Sequence, residues 1–370
     1  MSQESGSFTQ AAIRRIRKNP LGLFSLGIIV LAGLVTVFAY VLSHDKITHA
    51  NQQNVILAHK PMGYEQLFLA VPLENYTGSF SIKDFFLGKQ VDVDQIAINS
   101  YKMEKDSVNY IPYLGEGFLG ETTKISLKEW KQKGISVSEI EHKFIYTKSF
   151  WLGTDSYGRD FYSRMVIGTR ISFLIGFIAV FISLVVGIPM GAIAGYYRGR
   201  VDDVIMWVIN VVWSIPTLLL VIAITLALGK GFWQIFVAVG LTMWVEVARV
   251  VRGQFISFRE KEFVEAAKAL GLSDLRIMFR EILPNILAPV IVISAANFAS
   301  AILVESGLSF LGIGAQPPTP SWGNLIKENY SHIIIGHAHL ALFPGIAILL
   351  LVLAFNVFGN VLRDAFDTRR

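Results

Sequence analysis

The chain has 370 residues, 53% of them hydrophobic, 16% charged and 12% aromatic, with no cysteine and a formal net charge of +5. About a quarter of an average soluble domain is charged, so an ordinary soluble domain is excluded, as are a disordered chain, a collagen-like fibre and a disulfide scaffold. A mean hydropathy of +0.50 makes a membrane protein the first reading.

A hydrocarbon core of roughly 30 Å needs about 20 apolar residues in helical form. Six runs meet that length: Leu21–Leu42, Ile171–Tyr196, Val204–Leu228, Phe232–Val250, Leu283–Leu311 and Leu340–Leu362. Arg14, Arg15, Arg17 and Lys18 precede the first, as in a signal peptide. Its length and the lack of a small-residue cleavage pattern predict a retained span.

Residues 44–150 read differently. They carry 13 Asp/Glu and 12 Lys with no Arg, so 25 of the 61 formal charges lie in this polar insert. Its apolar residues come in short clusters, Tyr64–Val71 and Phe85–Leu87, and Lys124–Lys133 is expected to form a helix opened by Ser126 with Glu129 three residues on. A small mixed region with some risk of disorder is expected, without catalytic spacing.

Lys and Arg collect on the side from which they need not be translocated. With both termini in the cytoplasm, the inner segments hold 16 Lys/Arg and the short outer loops two, Lys230 and Lys327. This predicts N-in, C-in, with the insert outside. Arg159, Arg164 and Arg170 stand on the wrong side, in a long translocated segment largely exempt from the rule. The chain thus divides into a cytoplasmic N-terminus and first span (1–43), the outer insert (44–150), an outer pre-helix segment (151–168), a five-helix core (169–362) with a cytoplasmic loop at 249–282, and a cytoplasmic tail (363–370).

Ala179, Ser183, Gly187, Gly191 and Gly195 repeat every four positions along the second span. Such a ridge of small residues lets helix backbones approach closely in a membrane. Pro189 and Pro216 interrupt the second and third spans. Glu246 and Glu305 alone put acidic groups within apolar stretches. Glu246 is expected to pair with Arg249, and Glu305 to serve structural pairing or interface snorkelling, since no chain of acids exists to relay a proton.

Between the fourth and fifth spans, helix formers with alternating charge run from Glu260 to Leu270. Gly271 follows as a stop, and Ser273 with Asp274 supplies a new N-terminus. A helix, a tight turn and a second helix are predicted, with Phe263, Ala267 and Leu270 on one face and Ala266 and Ala267 allowing close approach. Such a unit suits either a groove on a partner or the bilayer surface.

The string EAAKALGLSDLRIMFREILPN closely resembles the EAA loop of binding-protein-dependent ABC importers, with Glu265, Ala266, Ala267, Gly271, Ile282 and Pro284 in the motif positions. RRIRKNPLGLFSLGIIVL, WLGTDSYGRDFYSRMVIGTRIS, SGLSFLGIGAQPPTPSWGNLI and FNVFGNVLRDAFDTRR are similar to the C-type permease subunit of oligopeptide/dipeptide importers. The likeness covers the first span's start and nearly everything from Trp151 onwards; much of residues 44–150 has no counterpart in it.

The resemblance implies an all-α permease of six transmembrane helices in the bacterial inner membrane, half of a path for di- or oligopeptides. It implies a homologous B-type permease, two ATPase subunits that bind ATP and Mg, an extracytoplasmic substrate-binding protein, and no cofactor or catalysis in this chain. Glu265, Ala266, Ala267 and Gly271, with Phe263, Leu270 and Pro284, would dock the ATPase. Pro317, Pro318, Pro320 and Trp322 would form either a stiff outer feature near the gate or a rigid turn. Gly187, Gly191 and Gly195 are expected to pack helices.

Rival classes find little support. No P-loop motif occurs, so this chain is not expected to cradle a nucleotide's phosphates. His337 and His339 lack the spacing of a zinc motif and are expected at a surface or interface. Inverted repeats and midplane ion-coupling groups of a secondary transporter are not apparent. The pI of about 9.2 is accounted for by the basic loops, so no nucleic-acid role is expected.

Overall fold

Asn19 ends a short basic helix, α1 (Phe8–Lys18), and opens the first span, α2 (Pro20–Leu42). Its Oδ1 accepts from the Gly22 N–H at 3.1 Å, and Pro20 takes the first helical position, where a missing N–H loses no helical bond. The computed structural model describes residues 8–366 apart from 77, 79, 80, 119 and 230; Lys230 and the basic end of the tail, Arg369 and Arg370, lie outside the described residues.

The insert is folded, contrary to the expected risk of disorder. Strands β1 (Tyr64–Pro72), β2 (Val93–Met103), β3 (Ser107–Pro112), β4 (Thr123–Ser126) and β5 (Ile145–Phe150) form one antiparallel sheet in the order β4-β3-β2-β1-β5. Short helices α3 (Ile82–Leu87), α4 (Lys128–Gln132) and α5 (Val137–Glu139) fill the connections. Leu69, Ile98, Val108, Leu127, Trp130 and Ile140 are buried together, which gives the region its own apolar core. The helix expected over Lys124–Lys133 is only α4. Its first residues are claimed by β4, where Ile125 lies opposite Val108; Leu127 takes the N-cap position, and Ser126 Oγ accepts from the Lys128 N–H at 3.3 Å just before it.

The second span, α6 (Phe161–Tyr197), begins ten residues before the apolar run and is about 55 Å long at about 1.5 Å per residue. Helices α7 (Gly199–Trp213) and α8 (Thr217–Leu228) replace the single third span and meet at 91°. The break follows from Pro216, which holds residue 215 out of helical form and supplies no N–H. Next come α9 (Phe232–Arg259), α10 (Glu262–Ala269), α11 (Asp274–Arg276), α12 (Leu287–Phe310), α13 (Trp322–Asn329) and α14 (His339–Phe366). A π-helical turn (Ile277–Ile282) and a 3₁₀ turn (Leu283–Ile286) link α11 to α12.

The small-residue ridge of α6 lies against α9. A Cβ added at Gly187 would stand 2.7 Å from the Trp244 carbonyl oxygen, one at Gly191 2.4 Å from that of Ala248, and one at Gly195 2.6 Å from that of Arg252. Contacts advance together along both chains, so α6 and α9 run parallel. The segment between them must therefore recross the membrane, which makes α7–α8 a broken span and brings the crossings to six. The insert and the 260–286 loop consequently lie on opposite sides.

The three arginines that run against the charge bias are all engaged. Arg170 donates to the carbonyl oxygens of Phe86 at 2.5 Å and Thr36 at 3.4 Å, tying α3 and α2 to α6. Arg159 and Arg164 are buried, paired with the buried Asp155 and with Glu328, which is partly exposed.

Because the atoms facing Gly191 are the Ala248 oxygen, the Arg252 nitrogen and the Val251 Cβ, which is fixed to its backbone, no flexible side chain can move aside for a methyl group. Gly191→Ala is expected to destabilise the helical body by about 1–3 kcal/mol, read as loss of monodisperse protein in size exclusion after detergent extraction. Gly27→Ala, with nothing within 4 Å of its added Cβ, is expected to be neutral.

Candidate coupling site

Helix α10 ends in a Schellman turn. Gly271 has φ +75°, its N–H donates to the Lys268 oxygen at 2.9 Å, and the Leu272 N–H donates to the Ala267 oxygen at 3.2 Å. Nothing lies within 4 Å of an added Cβ there, so glycine is required by backbone conformation rather than space. Ser273 caps α11 without a side-chain bond to its backbone, and Asp274 accepts from the Tyr196 hydroxyl at 2.7 Å. Arg198 reaches Glu260 at 2.7 Å, which fixes the loop to the end of α6.

The face expected to hold Phe263, Ala267 and Leu270 divides. Val264 and Ala267 are buried beside Phe255, Ile277, Met278, Ile282 and Ile286, so Ala267 packs inward instead of allowing close approach by a partner. Phe263 is 40% and Leu270 81% exposed, and Glu265, Ala266, Gly271 and Pro284 are exposed as well. The helix is short and one apolar neighbour, Val264, sets its phase. Leu275 and Phe279, passed over in the sequence, also stand exposed on this loop; their signal is two large apolar residues four apart in a charged connection between spans.

On the insert side, α13 is held against the body. Trp322 is buried, its indole N–H donates to the Met165 oxygen at 3.3 Å and its backbone N–H to Ser172 Oγ at 3.2 Å. Pro320 is buried while Pro317 and Pro318 are exposed. Beside α13, Arg159 Nε lies 2.7 Å from Asp155 Oδ2, Arg159 Nη2 2.6 Å from Glu328 Oε2, and Arg164 Nη2 3.0 Å from the same oxygen. Arg159 Nη1 also donates to Asn51 Oδ1 at 3.0 Å. Four charges that sum to zero thus join the segments around Asn51 and Asp155 to α6 and α13.

The other polar candidates fall out as follows. His337 stacks on His59 at 4.9 Å, and His59 lies 4.6 Å from His332; burial, then these two neighbours, hold His59 below the usual imidazole range. Among the described residues no group of three or more His, Asp or Glu is placed to hold a metal ion. Glu305 is buried rather than snorkelling, and its Oε1 accepts from Ser309 Oγ at 2.7 Å. Glu246 does not pair with Arg249, which donates to Asn210 Oδ1 at 2.7 Å and lies 3.5 Å from the Trp213 ring.

Residues 187–370 match the family described as binding-protein-dependent transport system inner membrane component, and residues 7–61 the N-terminal TM domain of oligopeptide transport permease C. The glutathione transport system permease protein GsiD of Pectobacterium atrosepticum is 40% identical over 223 residues, 60% of this chain and 74% of the relative. The chain belongs to the binding-protein-dependent ABC importer permease family. The dipeptide transport system permease protein DppC of Alkalihalophilus pseudofirmus is 42% identical over 219 residues, 59% of this chain and 72% of the relative. An inward-facing structure of the MetNI methionine ABC transporter aligns with a TM-score of 0.46 and 18% identity, over 55% of this chain and 96% of the other.

The permease is therefore a multi-pass inner-membrane subunit of an ABC importer and not itself an enzyme; ATPase and substrate-binding protein partners follow from that membership. Its insert-side ion cluster is open to direct test. Glu328→Ala would leave the fully buried Arg164 facing Asp155 alone, at 3.6 Å, and removing one partner of a buried charge costs up to about 3–5 kcal/mol. A fall of roughly 10 °C in apparent Tm of the detergent-solubilised permease is expected, whereas Glu139→Ala, in the exposed pair with Lys143, is expected to change it little.

Proposed function

We propose that this permease is the C-type half of a heterodimeric di- or oligopeptide importer, paired with a homologous B-type permease, with both termini in the cytoplasm. The observation that carries the reading is the exposed helix–turn–helix at 260–286, in a chain similar to permeases named for dipeptide and glutathione transport. Two partner ATPases would bind ATP and Mg and seat this loop in a groove. Phe263, Leu270, Leu275 and Phe279 offer apolar contact, Glu265 the charge, Ala266 close approach, and Gly271 the turn. Pro284 lies just beyond it, where the chain enters the fifth span. Ala267 contributes from behind, through its packing under the helix.

The test is reconstitution of the permease with its partner permease, the ATPases and the binding protein in proteoliposomes, with uptake of a labelled dipeptide as readout. ATP-dependent uptake is expected; uptake that persists with a hydrolysis-dead ATPase would overturn the ABC reading. Gly271→Val forces a β-branched residue into left-handed backbone, at about 1–2 kcal/mol or more. Roughly tenfold weaker ATPase association is expected, with membrane insertion intact; normal association and transport would count against docking through this turn.

The insert is proposed to add contact for the binding protein, since it stands on the side opposite the coupling loop. Its sheet enters and leaves at one place, where the Gly63 N–H donates to the Phe150 oxygen at 2.9 Å. Replacing residues 64–149 by a short Gly/Ser linker is expected to keep the helical body folded and to weaken binding-protein association. Unchanged association and uptake would sink this role.

A further inference from the structure

The third span breaks at Ser214–Pro216, where a helix within a bilayer has most to lose. Non-helical backbone at membrane depth persists only where protein covers it or where it lines a water-filled cavity. Here it borders a partly open cavity of about 180 Å³ between the break, α9 and α12, with Trp213, Thr217, Thr242, Glu246 and Ser300 on its walls. Glu246 is the one acidic residue of that lining.

Its surroundings leave this carboxylate unspent. Among the described residues it has no hydrogen bond or ion pair, and its side chain is exposed. Arg249, less than one turn further on, is drawn away by Asn210 and the Trp213 ring. Arg252 is held by Asp202, with Nε 2.5 Å from Oδ1 and Nη2 2.6 Å from Oδ2. Glu305, the other carboxylate in an apolar stretch, is enclosed by the body and bonded to Ser309. An ionisable group within a membrane span is costly to keep and marks a pathway when it faces a cavity. The cationic partner that Glu246 lacks among the described residues can be brought by the substrate.

Resting on the reading of this subunit as a peptide permease, we propose that Glu246 is a substrate-recognition residue in the translocation path, receiving the α-ammonium group of the peptide. An ammonium has three N–H donors and no acceptor. The carboxylate takes one in a charge-assisted bond, and the hydroxyls of Thr217, Thr242 and Ser300 border the same space as acceptors for the others. The cavity is smaller than the roughly 300–1,000 Å³ of a pocket that encloses a whole ligand, so this half holds one end of the peptide. The remainder lies against the partner permease.

The absence of cysteine from the chain permits a charge-restoration test. The complete transporter, built with cysteine-free partners, is reconstituted and its dipeptide uptake measured. Glu246→Gln is expected to lower uptake at limiting peptide at least tenfold, chiefly by raising KM. Glu246→Cys, assembled first and checked by size exclusion, is expected to be equally impaired; an anionic sulfonatoethyl thiosulfonate recovers uptake and a cationic trimethylammonium reagent does not. Equal recovery with both reagents, or with neither, overturns the charge role. Full uptake by the Gln variant overturns it too and leaves the peptide reading standing. A wild-type transporter that hydrolyses ATP with its binding protein but imports no peptide overturns both.

Discussion

The close parallel packing of α6 on α9 is the constraint from which the rest of the architecture follows. Lipid offers no hydrophobic drive for helices to associate, so van der Waals contact between backbones must supply it, and Gly187, Gly191 and Gly195 remove the side chains that would hold the backbones apart. Two parallel neighbours require a returning segment between them. That segment is α7–α8, and its break at Pro216 places irregular backbone beside the middle of α9. The same pairing brings the ends of α6 and α9 together on one side, where Tyr196, Arg198 and Phe255 support the loop that carries Gly271.

Charge is handled in two ways. At the insert side, Arg159 and Arg164 are buried because the buried Asp155 and the partly exposed Glu328 stand against them; the group offsets its own desolvation and fixes four chain segments in one geometry. Glu246 receives no such compensation from the described residues. A carboxylate that α9 leaves facing a cavity, beside an arginine diverted to other partners, has the character of a half-made interaction.

The six crossings were legible because the hydrocarbon thickness imposes a length on apolar runs. Their ends were not, since α6 continues into Phe161–Arg170, where arginines are matched by residues distant in sequence and leave no local pattern. Pro216 announced an interruption, but only the parallel arrangement of α6 and α9 distinguishes a broken span from a re-entrant loop. In the 260–286 loop, Gly271 could be read because a helix stop at that position needs a left-handed residue. The buried face could not be read as easily: on the eight-residue α10, choosing Phe263 over Val264 rotates the inward side by about 100°. The strands of the insert escaped notice because their burial does not alternate cleanly, β1 burying Phe68, Leu69 and Ala70 in succession, and because the Thr and Ile of β4, which suit a strand, adjoin a run of good helix formers.

The order of strands in the insert has a consequence for neighbouring transporters. An open sheet held above a crowded bilayer offers its free edge to identical sheets nearby, and edge-to-edge zipping would cluster the molecules. Strand β4, the edge that follows from the order β4-β3-β2-β1-β5, is only four residues long and carries Lys124, two-thirds exposed. A short rim bearing a charged side chain, here paired with Glu104 at 3.2 Å, gives an approaching copy few backbone partners and a solvated pair to displace, so this edge can protrude without gluing one importer to the next.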